Sequence, residues 1–219
     1  MVLSDFDRTL SDERNNFIIN YDVVRVVNEF SKEHLFFVVT GRERKFINIL
    51  AKGLFPTGWI IENGAIIILK DKEIKLVDKE WYSIREEVSE VLAKHGIRHS
   101  LGEVIIYVDS VGSQKDKLKL LNLEVKIEWN RNDAMIMPKQ VGKGNAVKTL
   151  KEIIGFRGKT IGIGDSQNDI SLFEAVDIKV AVRNALPEIK NMADIVLDKD
   201  DGEGVKDFLL KIIENELSF

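Results

Sequence analysis

Two aspartates near the start of the chain, Asp5 and Asp7, have the spacing of a cation-binding pair. They come at the end of an apolar segment, residues 2–6, which we expect to be a buried strand. In open α/β sheets, ligands bind at the carboxyl ends of the strands. Two carboxylates this close repel each other, and a divalent cation that prefers hard oxygen ligands, such as Mg²⁺, relieves the repulsion. An acidic turn with a helix cap at Thr9 would also explain the pattern.

A second pair of aspartates, Asp165 and Asp169, follows another expected strand, residues 160–163. Their spacing is close to one helical turn, so that both carboxylates can face one point. The preceding glycines at 162 and 164 resemble part of a dinucleotide-binding loop, but Gln167 occupies the position of the third glycine. Two aspartates would also repel a pyrophosphate, so the pattern favours a metal site.

Two further segments have residues suited to a phosphate group. In Thr40-Gly41-Arg42, a hydroxyl and a free glycine N–H at a helix start can bind phosphate oxygens. In Gly142-Lys143-Gly144, the lysine can neutralise a phosphate and a nucleophilic carboxylate together. Taken alone, the first segment is better explained by an ordinary capped helix and the second by a surface-loop lysine. The spacing of a Walker loop is absent.

The elements around these residues alternate between strand and helix, which predicts a doubly wound α/β sheet. Asn20 is expected to cap a helix that buries Val23, Val24, Val27 and Phe30 on one face. The expected strands of this core are residues 2–6, 35–39, 59–61, 160–163 and 178–182.

The alternation is interrupted between residues 66 and 139. Hairpins mixed with helices, including an expected hairpin at 65–77 and a helix at 114–121, indicate a small α+β unit. The sequence therefore predicts a core made of residues 1–65 and 140–219. It also predicts a separately packed inserted domain, residues 66–139, with hinges near Gly64 and Gly142.

Together the four motifs closely resemble those of the haloacid dehalogenase superfamily of phosphatases. The insert, Glu62-Asn63-Gly64-Ala65 and Asn184-Ala185-Leu186-Pro187 resemble its Cof-type branch, and the small size is most similar to archaeal phosphoglycolate phosphatases. One residue departs from the family pattern: Arg8 stands where the family usually has glycine. An arginine there could contact the substrate or restrict its size.

The resemblance implies a Mg²⁺-dependent phosphatase that hydrolyses a small phosphate monoester, phosphoglycolate or a sugar phosphate. Asp5 would be the nucleophile that forms an aspartyl phosphate, and Asp7 the general acid and base. The implied metal site comprises Asp5, Asp7 through its backbone carbonyl, Asp165 and Asp169. The implied phosphate-binding residues are Thr40, Gly41, Arg42, Lys143 and Asn168.

Composition excludes several other classes. The 219 residues carry a formal net charge of −4, so no overall field attracts nucleic acid or an anionic membrane. Without cysteine, thiol catalysis and disulfides are excluded. No apolar run is long enough to cross a membrane, and the N-terminus does not resemble a signal peptide. We therefore expect a cytoplasmic protein, a monomer or homodimer, and the partner that the resemblance implies is a small phosphorylated metabolite.

Three alternatives remain open. A phosphomutase or phosphotransferase of the same superfamily would carry the same core motifs. A signalling domain phosphorylated on aspartate would need neither an insert nor this length. A binding protein with a decayed site would be expected to lack some of the motif residues, whereas all are present here.

Overall fold

Six neighbouring strands of the central sheet run parallel, and two antiparallel strands extend it at one edge. The computed structural model describes residues 1–120 and 124–219, so the expected helix end at Leu121 lies outside the described residues. The strands are β1 (Val2–Ser4), β2 (Phe36–Val39), β3 (Gly58–Ile61), β4 (Ile66–Leu69), β5 (Lys72–Lys75), β6 (Ser100–Leu101), β7 (Ile106–Val108), β8 (Lys126–Asn130), β9 (Asp133–Met137), β10 (Ile161–Gly164), β11 (Ile178–Ala181) and β12 (Ile195–Val196). The helices are α1 (Tyr21–Glu33), α2 (Arg44–Leu50), α3 (Glu80–Lys94), α4 (Lys115–Leu120), α5 (Lys143–Ile153), α6 (Ile170–Phe173), α7 (Pro187–Met192) and α8 (Asp201–Ile213). Short 3₁₀ helices cover Glu13–Asn15, Glu62–Gly64, Gly112–Gln114 and Gln167–Asp169.

The strand order of the central sheet is β12-β11-β10-β1-β2-β3-β4-β5. From β1 at the centre, the chain runs outward to β3 in one direction and from β10 to β12 in the other, which confirms the expected doubly wound fold. Every residue of β1 and β2 is buried. Their continuous apolar sequences are typical of parallel strands that are covered on both faces.

Helix α1 forms where the sequence predicts it. The side chain of Asn20 accepts a hydrogen bond from the backbone N–H of Asp22, at 2.9 Å, and so caps the first turn. The predicted apolar face is buried and the helix packs against α8. Across residues 1–120 and 124–219, no helix combines the length and the apolar character needed to span a bilayer.

A second sheet, with the order β6-β7-β9-β8, is antiparallel throughout and has a core of its own. Val88 and Leu92 of α3 pack there with Ile106 of β7 and Ile136 of β9. Helices and antiparallel strands of this part of the chain match the α+β character expected of the insert.

The expected start of the insert at residue 66 is wrong. The hairpin formed by β4 and β5 pairs with β3 and so belongs to the central sheet. Ile66 and Ile67, opposite Ile61 and Ile60, are buried in the core. A hairpin has the same local pattern whether it starts a new unit or extends an existing sheet, because periodicity does not specify the partner strand.

Gly64 likewise lies within the core and not at the entry to the insert, which the chain reaches between β5 and α3. Its φ of 99° is in the region that favours glycine. A Cβ atom on Gly64 would lie 2.3 Å from the carbonyl oxygen of Gly142. The two glycines therefore allow two backbone segments to pack closely beside the start of α5.

Candidate active site

The topology brings the chemical motifs to one edge of the central sheet. Asp5 directly follows β1, Thr40 directly follows β2, and Asp165 directly follows β10. Because β1 pairs in parallel with both β2 and β10, these residues lie at the carboxyl ends of three adjacent strands. This is the edge at which doubly wound sheets bind their ligands.

Three buried carboxylates form a cluster at this edge. Asp5, Asp165 and Asp169 each offer an oxygen atom, and these atoms all lie within 4.8 Å of one another. The donors are all hard oxygen atoms, a set that suits Mg²⁺ and offers nothing to a thiophilic metal. The residues present therefore fit the metal that the sequence predicts.

The ammonium group of Lys143 bridges two of these carboxylates. Its Nζ atom lies 2.5 Å from Oδ1 of Asp5 and 2.6 Å from Oδ1 of Asp169. The side chain has no exposed surface, so the alternative of a surface-loop lysine is wrong. Gly144 makes this burial possible, because a Cβ atom there would lie 2.1 Å from the carbonyl oxygen of Ser171 in α6.

The ionisable groups of the cluster are strongly perturbed. Burial raises the pKa of Asp5 well above its usual value, and the charge of Asp169 raises it further. Burial and the same neighbour raise the pKa of Asp165 to about 6. Burial opposes the charged form of Lys143, but Asp169 and Asp5 outweigh it and raise the pKa of the lysine. Lys143 and the guanidinium of Arg131, which pairs with Asp165, leave the three carboxylates with one uncompensated negative charge, and this favours a further cation.

A short loop fixes the position of Asp169. Its Oδ2 atom accepts hydrogen bonds from the backbone N–H groups of Asp165, at 2.9 Å, and Ser166, at 3.1 Å. Ser166 and Asp169 form a capping box around the 3₁₀ helix Gln167–Asp169. Gly164 provides the space, since a Cβ atom there would lie 2.7 Å from the side chain of Asp169.

Asp7 lies apart from the carboxylate cluster. Its carboxylate accepts hydrogen bonds from Nε of Arg42, at 2.9 Å and 3.0 Å, and from Nη2 of Arg42, at 2.6 Å. This bidentate pairing is the strong geometry for an arginine and a carboxylate. Coordination of a metal by the backbone carbonyl of Asp7 stays a prediction.

The other expected phosphate ligands make hydrogen bonds with neighbouring residues. The hydroxyl oxygen of Thr40 is buried and accepts a hydrogen bond from the N–H of Arg42, at 3.0 Å. The amide group of Asn168 donates to Oδ1 of Asn63, at 3.3 Å. The carbonyl oxygen of Gly41 accepts a hydrogen bond from the hydroxyl of Tyr107, at 2.8 Å, which links it to the second sheet.

The turn between β8 and β9 supplies residues that the sequence analysis did not identify. Nη2 of Arg131 lies 2.7 Å from Oδ2 of Asp165, and the hydroxyl of Ser166 donates to the side chain of Asn130, at 3.0 Å. Arg131 belongs to none of the four motifs. The sequence places Arg131 between two apolar segments, residues 125–129 and 134–137, which does not reveal its partner.

A buried carboxylate connects the core to the second sheet. Glu62 accepts hydrogen bonds from the backbone N–H groups of Glu103, Val104 and Ile105, at 2.6, 2.8 and 3.0 Å. Burial raises its pKa, against the effect of these three donors. Nearby, Nδ2 of Asn63 donates to Oε2 of Glu128 in β8, at 2.5 Å. The segment Glu62-Asn63-Gly64-Ala65 thus contacts the insert as well as the core.

A cavity of about 430 Å³ lies between the two sheets, next to Asp7. Residues of the core form one wall and residues of the second sheet form the other. Its lining includes Asp7, Arg8, Phe17, Arg42, Tyr107, Asp109 and Asp133. Asp7 and Arg42 thus lie where a bound small molecule could contact them.

Comparisons with known proteins agree with this geometry. Residues 78–209 match the family of haloacid dehalogenase-like hydrolases. A phosphoglycolate phosphatase of Sulfurisphaera tokodaii is 70% identical over 215 residues, which cover 98% of this chain and 95% of that protein. Phosphoglycolate phosphatase 2 of Saccharolobus solfataricus is 51% identical, with coverage of 97% and 92%. The crystal structure of a Thermoplasma acidophilum protein, 21% identical, covers 97% of both chains with a TM-score of 0.80.

Proposed function

The chain belongs to the haloacid dehalogenase-like hydrolases, as its motifs indicated, and we propose that it is a Mg²⁺-dependent phosphatase acting through an aspartyl phosphate. Its substrate would be a small phosphate monoester, phosphoglycolate or a sugar phosphate. The observation that carries the proposal is the buried bridge of Lys143 between Asp5 and Asp169. A carboxylate held beside a buried ammonium is suited to receive a phosphoryl group, because the cation offsets the charge that arrives with it.

In this proposal Asp5 attacks phosphorus, a bond forms between its carboxylate oxygen and phosphorus, and the bond to the leaving oxygen breaks. Water then attacks the phosphorus of the acyl phosphate and releases inorganic phosphate, which regenerates Asp5. Asp5, Asp165 and Asp169 would hold Mg²⁺, which would supply positive charge that offsets the charge of the phosphoryl group. Lys143 stabilises the same negative charge from within the protein.

Asp7 would protonate the leaving oxygen and later take a proton from the attacking water. Its carboxylate is held by Arg42, and that pairing has a consequence for the cycle. Arg42 can bind either Asp7 or an incoming phosphate. Substrate binding would therefore draw the guanidinium away and leave Asp7 free to act on the leaving group.

The inserted unit that follows β5 would act as a cap over the site. Support comes from the turn between β8 and β9, which contacts the loop of Asp165 and Ser166 directly. A cap in this position excludes water from the acyl phosphate and contacts the leaving group. The names of the two close relatives make phosphoglycolate the first substrate to test.

The test is a screen of phosphate monoesters, including phosphoglycolate and several sugar phosphates, with Mg²⁺ and with a chelator. Release of inorganic phosphate that requires Mg²⁺ is the expected result. Added alcohols and sugars serve as acceptors. Transfer of the phosphoryl group to them, without release of phosphate, would identify a phosphotransferase instead.

A further inference from the structure

Two bulky residues with left-handed backbone conformations meet at the cavity. Arg8 has a φ of 59° and Phe17 a φ of 61°. Residues with large side chains are genuine outliers in this region, and such outliers persist where the surrounding structure enforces them. Both residues line the cavity next to Asp7.

The fold enforces the conformation of Arg8 through its backbone alone. Nδ2 of Asn184 donates to the carbonyl oxygen of Arg8, at 2.9 Å, and Asn184 is in turn fixed by two hydrogen bonds with Asp201, at 2.7 and 2.9 Å. A glycine would adopt this conformation without strain. The backbone therefore has no need of an arginine side chain here, and the side chain must be explained by what it contacts.

The guanidinium group of Arg8 is held at the cavity wall. It lies over the ring of Phe17, 5.1 Å from the centroid, and Arg42 lies 4.8 Å from the centroid of the same ring. Cations over an aromatic face are stabilised by the ring quadrupole. Phe17 thus positions two guanidinium groups next to Asp7.

The two guanidinium groups differ in their partners. Arg42 forms the bidentate pair with Asp7, in which both side chains are partly buried. Arg8 pairs with Glu13 at 2.5 Å, but the side chain of Glu13 is 54% exposed. Exposed ion pairs contribute little stability and are readily exchanged for another anion.

The opposite wall of the cavity is acidic. Asp109, directly after β7, and Asp133 of β9 line it, and the carboxylate of Asp133 accepts a hydrogen bond from the N–H of Ser110, at 2.8 Å. An anionic leaving group would be repelled from this wall and attracted to the wall that contains Arg8. The charge distribution therefore orients an acidic substrate within the cavity.

We propose that Arg8 is a specificity-determining residue that binds a carboxylate on the leaving group, in exchange for Glu13. The inference deepens the proposed function, on which it rests, by naming the residue that selects an acidic leaving group over a neutral one. The planar guanidinium fits a carboxylate with two parallel hydrogen bonds. Phe17 is a positioning residue that aims this group into the cavity.

The test compares two substrates, 2-phosphoglycolate and its carboxamide. Both carry the phosphate, but only the first carries a carboxylate. The ratio of their kcat/KM values is measured with Mg²⁺ for the wild type, Arg8→Gly, Arg8→Lys and the control Arg157→Gly. Arg157 is exposed and precedes β10, at the opposite edge of the sheet. Glycine suits the φ of residue 8, so Arg8→Gly should fold normally.

We expect the preference for the acid to fall roughly 10- to 100-fold in Arg8→Gly, as for loss of a bidentate charged contact. Arg8→Lys should keep part of the preference, and Arg157→Gly all of it. An unchanged ratio in Arg8→Gly, or an equal fall in Arg157→Gly, would overturn the proposal.

A binding measurement separates this inference from the phosphatase proposal. The wild type and Arg8→Gly are titrated calorimetrically with 3-phosphonopropanoate and with its neutral amide, neither of which can be hydrolysed. If the wild type binds the acid more tightly than the amide and Arg8→Gly does not, the role of Arg8 is supported even if no substrate is turned over. Equal binding of acid and amide by the wild type overturns it even if phosphatase activity is found.

Discussion

Nζ of Lys143 lies 2.5 Å from Oδ1 of Asp5, although 138 positions separate them in the chain. Asp5 ends the first strand and Lys143 begins the helix that follows the insert. The contact therefore forms only when the two halves of the core have packed together. The chemistry proposed for the site therefore requires that the core has folded completely.

Replacing Lys143 should impair turnover severely. Lys143→Met keeps most of the buried volume but removes the charge beside Asp5 and Asp169. Loss of one such stabilising group typically raises the barrier by about 2.7–4 kcal/mol, which is roughly a 100- to 1000-fold fall in kcat. Steady-state phosphate release measures the effect, with Lys148→Met, an exposed position on the same helix, as the control. Wild-type kinetics in Lys143→Met would contradict the role proposed for the ammonium.

Asp5 and Asp7 should have distinguishable roles. Asp5→Asn should form no covalent intermediate. Asp7→Asn should still be phosphorylated by a substrate whose leaving group needs no proton, such as an activated aryl phosphate, and should lose the phosphoryl group slowly because the base is gone. Intact-protein mass spectrometry after rapid quenching detects the added mass. A phosphoryl group on Asp5→Asn would leave direct attack by water as the better mechanism.

Arg131 should compete with Mg²⁺ for Asp165. Its guanidinium lies 2.7 Å from that carboxylate, and a metal ion would have to share the same oxygen atoms. In Arg131→Gln we expect Mg²⁺ to bind roughly 10-fold more tightly, because one charge-assisted hydrogen bond of about 1.5 kcal/mol no longer opposes it. Isothermal titration calorimetry without substrate gives the affinity. Arg98→Gln, an exposed position of the insert, should bind as the wild type does. Weaker binding of Mg²⁺ by Arg131→Gln would contradict the proposed competition and show that Arg131 favours metal binding.

Glu62 should be essential for the attachment of the insert. In Glu62→Gln, a single amide oxygen replaces a carboxylate that accepts hydrogen bonds from three backbone N–H groups. Leaving buried donors without a partner should lower the free energy of unfolding by about 2–3 kcal/mol. Urea unfolding compares this variant with Glu87→Gln, an exposed position in α3. Equal stability of the two variants would show that the three hydrogen bonds are dispensable.

Asp201 should make the protein less stable as the pH rises. Burial and the charge of Asp12 raise the pKa of Asp201 to about 6 from 3.8. The folded state therefore holds a proton that the unfolded state has already lost, and its stabilising effect disappears as the pH rises through this interval. Asparagine tolerates the left-handed backbone of residue 201, whose φ is 48°. Between pH 4 and pH 7, we expect the unfolding free energy of the wild type to fall by about 2 kcal/mol relative to Asp201→Asn.

The matched control for this pH series is Asp71→Asn, which lies in the exposed turn between β4 and β5. Its free energy of unfolding should change with pH in parallel with that of the wild type. A parallel change in Asp201→Asn would be evidence that the buried carboxyl is not the source of the slope.

The order of elements in the core could be predicted because three of the four motifs directly follow a strand of mainly apolar sequence. Val2–Ser4 and Phe36–Val39 are buried on both faces, and the polar residues after them mark where the strands end. Asp5, Thr40 and Asp165 could therefore be assigned to one edge of the sheet. Helix α1 was equally accessible, because its cap and its apolar face are local properties.

Contacts between distant segments could not be predicted in the same way. The hairpin Ile66–Leu69 and Lys72–Lys75 has a local pattern that does not reveal its partner, β3. Arg131 and Glu62 act through contacts with segments more than 30 residues away. The role of Gly144 in the packing of α5 on α6 depends in the same way on a distant segment. Such effects depend on tertiary packing, which sequence spacing does not encode.

The charge state of Lys143 also protects the protein from its own chemistry. Under the proposed mechanism Asp5 becomes an acyl phosphate, a reactive species that amines readily attack. A neutral amine 2.5 Å from Asp5 could displace phosphate and close an isopeptide bond between the two side chains. Asp169 and Asp5 raise the pKa of Lys143 despite its burial, so its nitrogen keeps the third proton and has no lone pair to offer. The arrangement that makes the lysine a permanent cation thus makes it a poor nucleophile and prevents self-inactivation by cross-linking.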